Sequence, residues 1–80
     1  MHRFKDLTER QQEVVKFMIS FRKEMGRGPT RDEVYRGLKL AGPSSAWRLF
    51  DSLMRKGFVE KEKYGEVGYR VRQGKAPRSI

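Results

Sequence analysis

Two capping boxes, Thr8 to Gln11 and Thr30 to Glu33, constrain this chain more than any other feature. In each, the threonine hydroxyl accepts from the amide three residues on, and the Gln or Glu side chain reaches back to the threonine amide. Helix one therefore begins near Glu9. Val14, Val15, Met18, Phe21 and Met25 recur at three- and four-residue spacing and mark its core face, with Met18 and Met25 as flexible core filler. Gly26, Gly28 and Pro29 stop it after Met25. The second box opens a short helix that carries Val34 and Leu38 on one side and ends near Leu40.

Gly42 followed by Pro43 sets a third start, because proline's missing amide costs nothing in the first helical position. Over Pro43 to Lys56, Ala46, Leu49, Phe50 and Leu53 cluster within about 100° of the helix circumference. Ser44, Arg48, Asp51 and Arg55 occupy the opposite side. Gly57 supplies the left-handed cap, and Arg55 and Lys56 suit the negative end of the helix dipole. From there the period shortens. Phe58 to Lys63 and Val67 to Arg72 alternate charged and apolar residues around Tyr64, Gly65 and Glu66, the pattern of a β-hairpin. Val67, Tyr69 and Val71 are expected to face the helices, with Arg70 and Arg72 facing solvent or a ligand.

Helix, short helix, long helix and hairpin is an element order that other small folds share, and the α+β fold it points to here is the three-helix winged helix-turn-helix with a C-terminal β-hairpin wing. Eighty residues hold one such unit. It is expected over residues 1–72, followed by a basic flexible tail over 73–80 that is almost devoid of apolar residues.

Nineteen Lys and Arg against ten Asp and Glu give a net charge of +9, with the excess spread over both halves of the chain. A balance of that kind points to a polyanionic partner. Zero cysteines and one histidine, His2, near the chain start leave no material for a thiolate metal site, a disulfide or Ser-His-Asp chemistry. The expectation is a protein that is not an enzyme, holds no cofactor and takes no small-molecule ligand. No apolar run approaches the length of a membrane span, so a cytoplasmic, nucleoid-associated location is expected, with no membrane partner.

In a winged helix the third helix presents the side chains near its N-terminus to base edges. Ser44, Ser45, Trp47 and Arg48 are the base-reading candidates. Arginine pairs bidentately with guanine O6 and N7, and serine donates or accepts. For Arg48 an ordinary solvated arginine is an equal reading. For Trp47 the alternatives are a partial cover of the core, with the indole nitrogen near solvent, or contact with a thymine methyl or sugar at the groove wall. Lys61, Lys63, Arg70 and Arg72 on the hairpin suit phosphates or the adjacent minor groove, and suit equally a charged rim that blunts edge strands. Arg10 beside the start of helix one, with Thr30 and Arg31 at the start of helix two, are candidates for the DNA backbone. Capping alone explains the threonine.

The segments Leu7-Thr8-Glu9-Arg10-Gln11-Gln12-Glu13-Val14 and Pro29-Thr30-Arg31-Asp32-Glu33-Val34 resemble the first two helix starts of LexA-type repressor N-terminal DNA-binding domains. Leu53 with Lys56-Gly57-Phe58-Val59-Glu60, and Gly68-Tyr69-Arg70, resemble the end of the recognition helix and the two wing strands. The resemblance runs from about Leu7 to Val71. It implies a sequence-specific double-stranded DNA-binding regulator of a prokaryote or phage, repressor-like, with the third helix in the major groove. It carries the family's base contacts to Gly42, Ser44, Ser45, Trp47 and Arg48, and Gly42 is expected to sit against the DNA backbone.

Three departures stand out. Lys39 stands where the family usually has Gly, Gly42 stands where Ser is common, and Trp47 and Arg48 stand where an acidic pair is frequent. Operator preference is therefore not inherited. The resembling repressors also carry a C-terminal self-cleaving Ser-Lys protease domain that dimerises them, and the chain is expected to correspond to the part without it. Ala41-Gly42 lies in the helix-turn-helix turn and reads as a turn rather than a cleavage site. One domain covers about half a turn of DNA, so tight binding calls for a homodimer on two half-sites or a partner. The competing classes are a winged-helix protein-interaction adaptor and a nonspecific DNA-binding accessory protein.

Overall fold

Both capping boxes form in full in the computed structural model, which describes residues 3–61 and 68–72. The Thr8 hydroxyl accepts from the Gln11 amide at 3.2 Å and the Gln11 carboxamide accepts from the Thr8 amide at 3.0 Å. The Thr30 and Glu33 pair repeats the geometry at 3.1 and 2.9 Å. The helices they open are α1 (Glu9–Met25) and α2 (Arg31–Gly37), followed by α3 (Pro43–Arg55) and the strands β1 (Val59–Lys61) and β2 (Tyr69–Val71). The strands pair antiparallel with Val59 opposite Val71, Glu60 opposite Arg70 and Lys61 opposite Tyr69. This is the α+β winged helix-turn-helix fold.

The apolar faces converge as their spacing requires. Val14, Val15 and Met18 of α1, Val34 of α2, and Phe50 and Leu53 of α3 are buried together with Phe58 and Val59. The Tyr69 ring lies 4.8 Å from that of Phe50, which ties the wing to the helices. Gly26 caps α1 and Gly57 follows the cap residue of α3, with left-handed φ values of 77° and 79°.

Four details differ from the sequence expectations. Met25 is 58% exposed rather than core, in a last turn of α1 whose residues 22–25 are all exposed. The short helix ends at Gly37, not near Leu40. Leu38 and Lys39 turn there, and Lys39 takes φ 52°, a left-handed conformation that costs a non-glycine residue about 1–2 kcal/mol. A bond from the Leu40 amide to the Tyr35 carbonyl, at 3.2 Å, closes the turn. Ahead of α1 a single 3₁₀ turn, Phe4–Asp6, buries Leu7. Gln12 holds it by donating to the Leu7 carbonyl at 3.0 Å. Finally, α3 is helical through Arg55, with Lys56 as its cap residue.

The expected hairpin tip around Tyr64, Gly65 and Glu66, the inward-facing Val67, His2 and the tail over 73–80 lie outside the described residues. Among the described residues, no helix is long and apolar enough to cross a membrane, and no cluster of His, Cys, Asp or Glu could hold a metal ion.

Candidate nucleic-acid interface

The placement of α3 depends on a side chain that belongs to α1. Gln11 is buried, with a relative exposure of 6%. Besides its capping bond it donates to Ser52 Oγ at 2.6 Å and accepts from Lys56 Nζ at 3.2 Å. One carboxamide thus fixes the start of α1 and clamps the last turn of α3 to it. With Ala46, Phe50 and Leu53 buried beneath, Ser44, Arg48, Asp51 and Arg55 all point outward and are exposed. Ser45 is half-buried. Gly42 is the N-cap residue in an extended conformation, and a Cβ there would meet no atom within 4 Å. Its place in the turn therefore does not demand a glycine.

Two clefts flank α3. On one side Arg10, Leu40, Ala41, Ser45, Arg48 and Leu49 line a depression of about 340 Å³. This brings Arg10 to the edge of the α3 face, where it pairs with Glu13 at 2.8 Å. On the other side Thr30, Arg31, Asp32, Tyr35, Pro43, Trp47 and Tyr69 line a depression of about 410 Å³. Trp47 is 53% exposed there and does not cover the core. The Arg31 guanidinium carbon lies 5.3 Å from the centroid of the Tyr69 ring, and Arg31 Nε is buried with no hydrogen-bond partner among the described residues.

The wing presents less free charge than its composition suggests. Arg70, expected to face outward, is half-buried and donates from Nε to Glu60 Oε1 at 2.8 Å across the strand pair. Arg72 Nε lies 3.8 Å from the other oxygen of Glu60. Register explains both: Glu60 is directly opposite Arg70, and same-face neighbours along a strand are two residues apart. Lys61 is exposed, and Lys63 lies outside the described residues.

A second missed contact, to Arg27, orders the start of α2. Arg27 forms a two-pronged bond to Glu33 at 2.9 and 2.7 Å and lies over the Phe21 ring at 5.1 Å. The Arg27 guanidinium first, then the Thr30 amide, hold the Glu33 carboxyl down at about 2, against partial burial that acts the other way. Because the folded value lies below the ordinary 4.5, the associated stability is fully present above pH 4.5 and drains away as pH falls toward 2. Urea melts between pH 7 and 2 are expected to show a flatter acid limb for Glu33→Gln than for the wild type. Parallel curves would remove Glu33 from the acid response.

The comparisons with known proteins bear on this arrangement directly. A family model described as the LexA DNA binding domain matches residues 4–64, which takes in all three helices and β1. The chain belongs to the LexA DNA-binding domain family. Among curated relatives of this family, the LexA repressor of Actinobacillus succinogenes is 43% identical over 56 residues, 70% of this chain and 27% of the relative. That of Mannheimia succiniciproducens is 42% identical over 60 residues, 75% of this chain and 28% of the relative. That of Glaesserella parasuis serovar 5 is 34% identical over 65 residues, 81% and 31%. The chain therefore spans less than a third of the length of these LexA repressors.

Proposed function

We propose that the chain binds double-stranded DNA in a sequence-specific manner as a repressor-like transcriptional regulator of a prokaryote or phage. In this reading α3 enters the major groove and the wing lies on the backbone or minor groove. Membership of the LexA DNA-binding domain family, whose curated relatives are named repressors, supports it. The observation that carries it further is the outward face of α3. Ser44 and Arg48 are exposed there, at the end of the helix that a recognition helix presents to bases.

Ser44, Ser45 and Arg48 are the proposed readers, with Arg10, Arg31, Gly42, Lys61 and Arg72 on the backbone. Thr30 spends its hydroxyl on the Glu33 amide, and Arg70 spends its Nε on Glu60. Both belong to the backbone set as supports of their neighbours more than as direct contacts. The proposed DNA-binding unit is residues 1–72, with 73–80 as a basic extension, and two copies on paired half-sites supply the affinity one domain lacks.

Selection of bound duplexes from a random library tests specificity and site symmetry together. On the recovered site, Arg48→Ala is expected to cost about 1–3 kcal/mol and relax one base pair, leaving a scrambled duplex unaffected. Arg72→Ala is expected to weaken both duplexes alike. Fluorescence anisotropy reads the difference, and equal losses for Arg48→Ala on both duplexes would remove it from the readers. The exposure of Trp47 favours an adaptor as the second reading. A steep fall of affinity with salt separates the two, because only phosphate contacts release counterions.

A further inference from the structure

The cleft holding Trp47 is not accounted for by the core or by the outward face of α3. Trp47 is the chain's single tryptophan, and more than half of it is given to solvent, at 53%. It sits about 100° around the helix from Arg48, on the flank that faces the wing. Across the cleft lies Arg31, stacked on Tyr69. Arg10, Arg27, Arg36 and Arg70 each have a carboxylate partner. Arg31 has none among the described residues, and an aromatic ring fixes it instead. Its buried Nε without a hydrogen-bond partner is a liability for the fold, not a contribution to it. Asp32 also lines the cleft, but its carboxylate pairs with Arg36 at 3.1 Å. A cation over a ring, with no carboxylate bonded to it, facing an exposed indole across a cleft of about 410 Å³, matches an anionic ligand with an apolar part.

We propose that this cleft seats one sugar–phosphate strand of the DNA. Arg31 takes a phosphate oxygen through its terminal guanidinium N–H groups, and the Trp47 indole lies against the adjoining deoxyribose. This rests on the DNA-binding reading above, and the geometry of that reading requires a strand here. With α3 in a major groove and the wing on the neighbouring backbone or minor groove, the strand dividing the two must pass between α3 and β2. The cleft lies there, with the start of α2 as its floor and Pro43 and Trp47 of α3 and Tyr69 of β2 at its sides. Trp47 is then a grip that does not choose a base, which removes it from the base-reading set. Tyr69 acts as a positioning residue that holds Arg31 and ties the wing to Phe50 through the same ring.

Because there is one tryptophan, its emission reports on the cleft alone. Acrylamide quenching is measured on the whole chain, free and at low salt with saturating selected or scrambled duplex. Either duplex is expected to lower the quenching constant at least about twofold, since both carry the same backbone. Trp47→Ala is expected to weaken both duplexes by about tenfold, the scale of an aromatic contact, with the salt slope unchanged. Arg31→Ala is expected to weaken both and reduce the salt slope by about one phosphate. Circular dichroism of each variant checks that the fold is retained.

Three results overturn the proposal. A Trp47→Ala loss confined to the selected duplex makes it a base reader. Unchanged quenching on a duplex that binds with a steep salt slope leaves the cleft open for a different partner, while the DNA-binding reading stands. An absence of salt-dependent duplex binding by the wild type removes that reading and this one together.

Discussion

Gly68→Ala is expected to cost about 3–5 kcal/mol of stability. Gly68 has φ 106°, which side-chain-bearing residues rarely adopt. A Cβ there would also stand 2.3 Å from the Gly28 carbonyl oxygen, 2.9 Å from its carbon and 3.1 Å from the Pro29 oxygen. Those are backbone atoms of a buried segment, so no rotamer change relieves the clash. The Tyr69 amide donates to the Pro29 carbonyl at 2.9 Å, and that bond is what brings β2 so close. Relief must come from lifting β2 away, which also withdraws the Tyr69 ring from Phe50. An 80-residue domain has roughly 4–12 kcal/mol of stability at the usual scale per residue, so much of it is lost.

Gly26→Ala provides the comparison. Gly26 has φ 77°, but a methyl group there would meet nothing within 4 Å, so only the backbone cost of about 1–2 kcal/mol applies. Urea melts of the two variants measure the difference. Equal losses would show that the approach of β2 to Gly28 and Pro29 does not matter.

The features that could be read from the sequence are those whose cause lies within a few residues. Both capping boxes, the glycine after α1 and the Pro43 start depend on contacts three or four residues apart, and all of them form. The amphipathic period of α3 likewise places Phe50 inside and Arg48 outside. Gly68 carries no such local signal, because its constraint comes from the backbone of Gly28, forty residues earlier. The end of α2 was hidden by Lys39, whose left-handed φ is set by the turn into α3 and not by its own preference. Met25 fits the apolar spacing of α1 but falls in its exposed last turn, and periodicity does not say where along a helix the packing stops. At the interface, residue types on α3 were legible while pairing states were not. Glu60 answers Arg70 only once the strand register is known, and Arg31 and Trp47 come to line one cleft only once α2, α3 and β2 are assembled.

Gln11 shows how far one local signal can extend, and Gln11→Leu is expected to cost about 2–4 kcal/mol. Leucine has a similar size but returns nothing to the Thr8 amide, so the capping box of α1 is halved. It also leaves Ser52 Oγ and Lys56 Nζ facing an apolar side chain where a carboxamide had bonded both. The loss of the cap accounts for about 1 kcal/mol and the stranded polar groups for the remainder. Gln11→Glu separates the two contributions. Its carboxylate still accepts from the Thr8 amide, receives a bond from the Ser52 hydroxyl and meets the Lys56 ammonium with opposite charge, so a change within about 1 kcal/mol is expected. Since the clamp acts on the last turn of α3, Gln11→Leu is further expected to weaken duplex binding more than its population of folded chain explains. Melts fix the folded fraction and anisotropy fixes the affinity. Binding that tracks the folded fraction alone would show that Gln11 supports the fold without orienting α3.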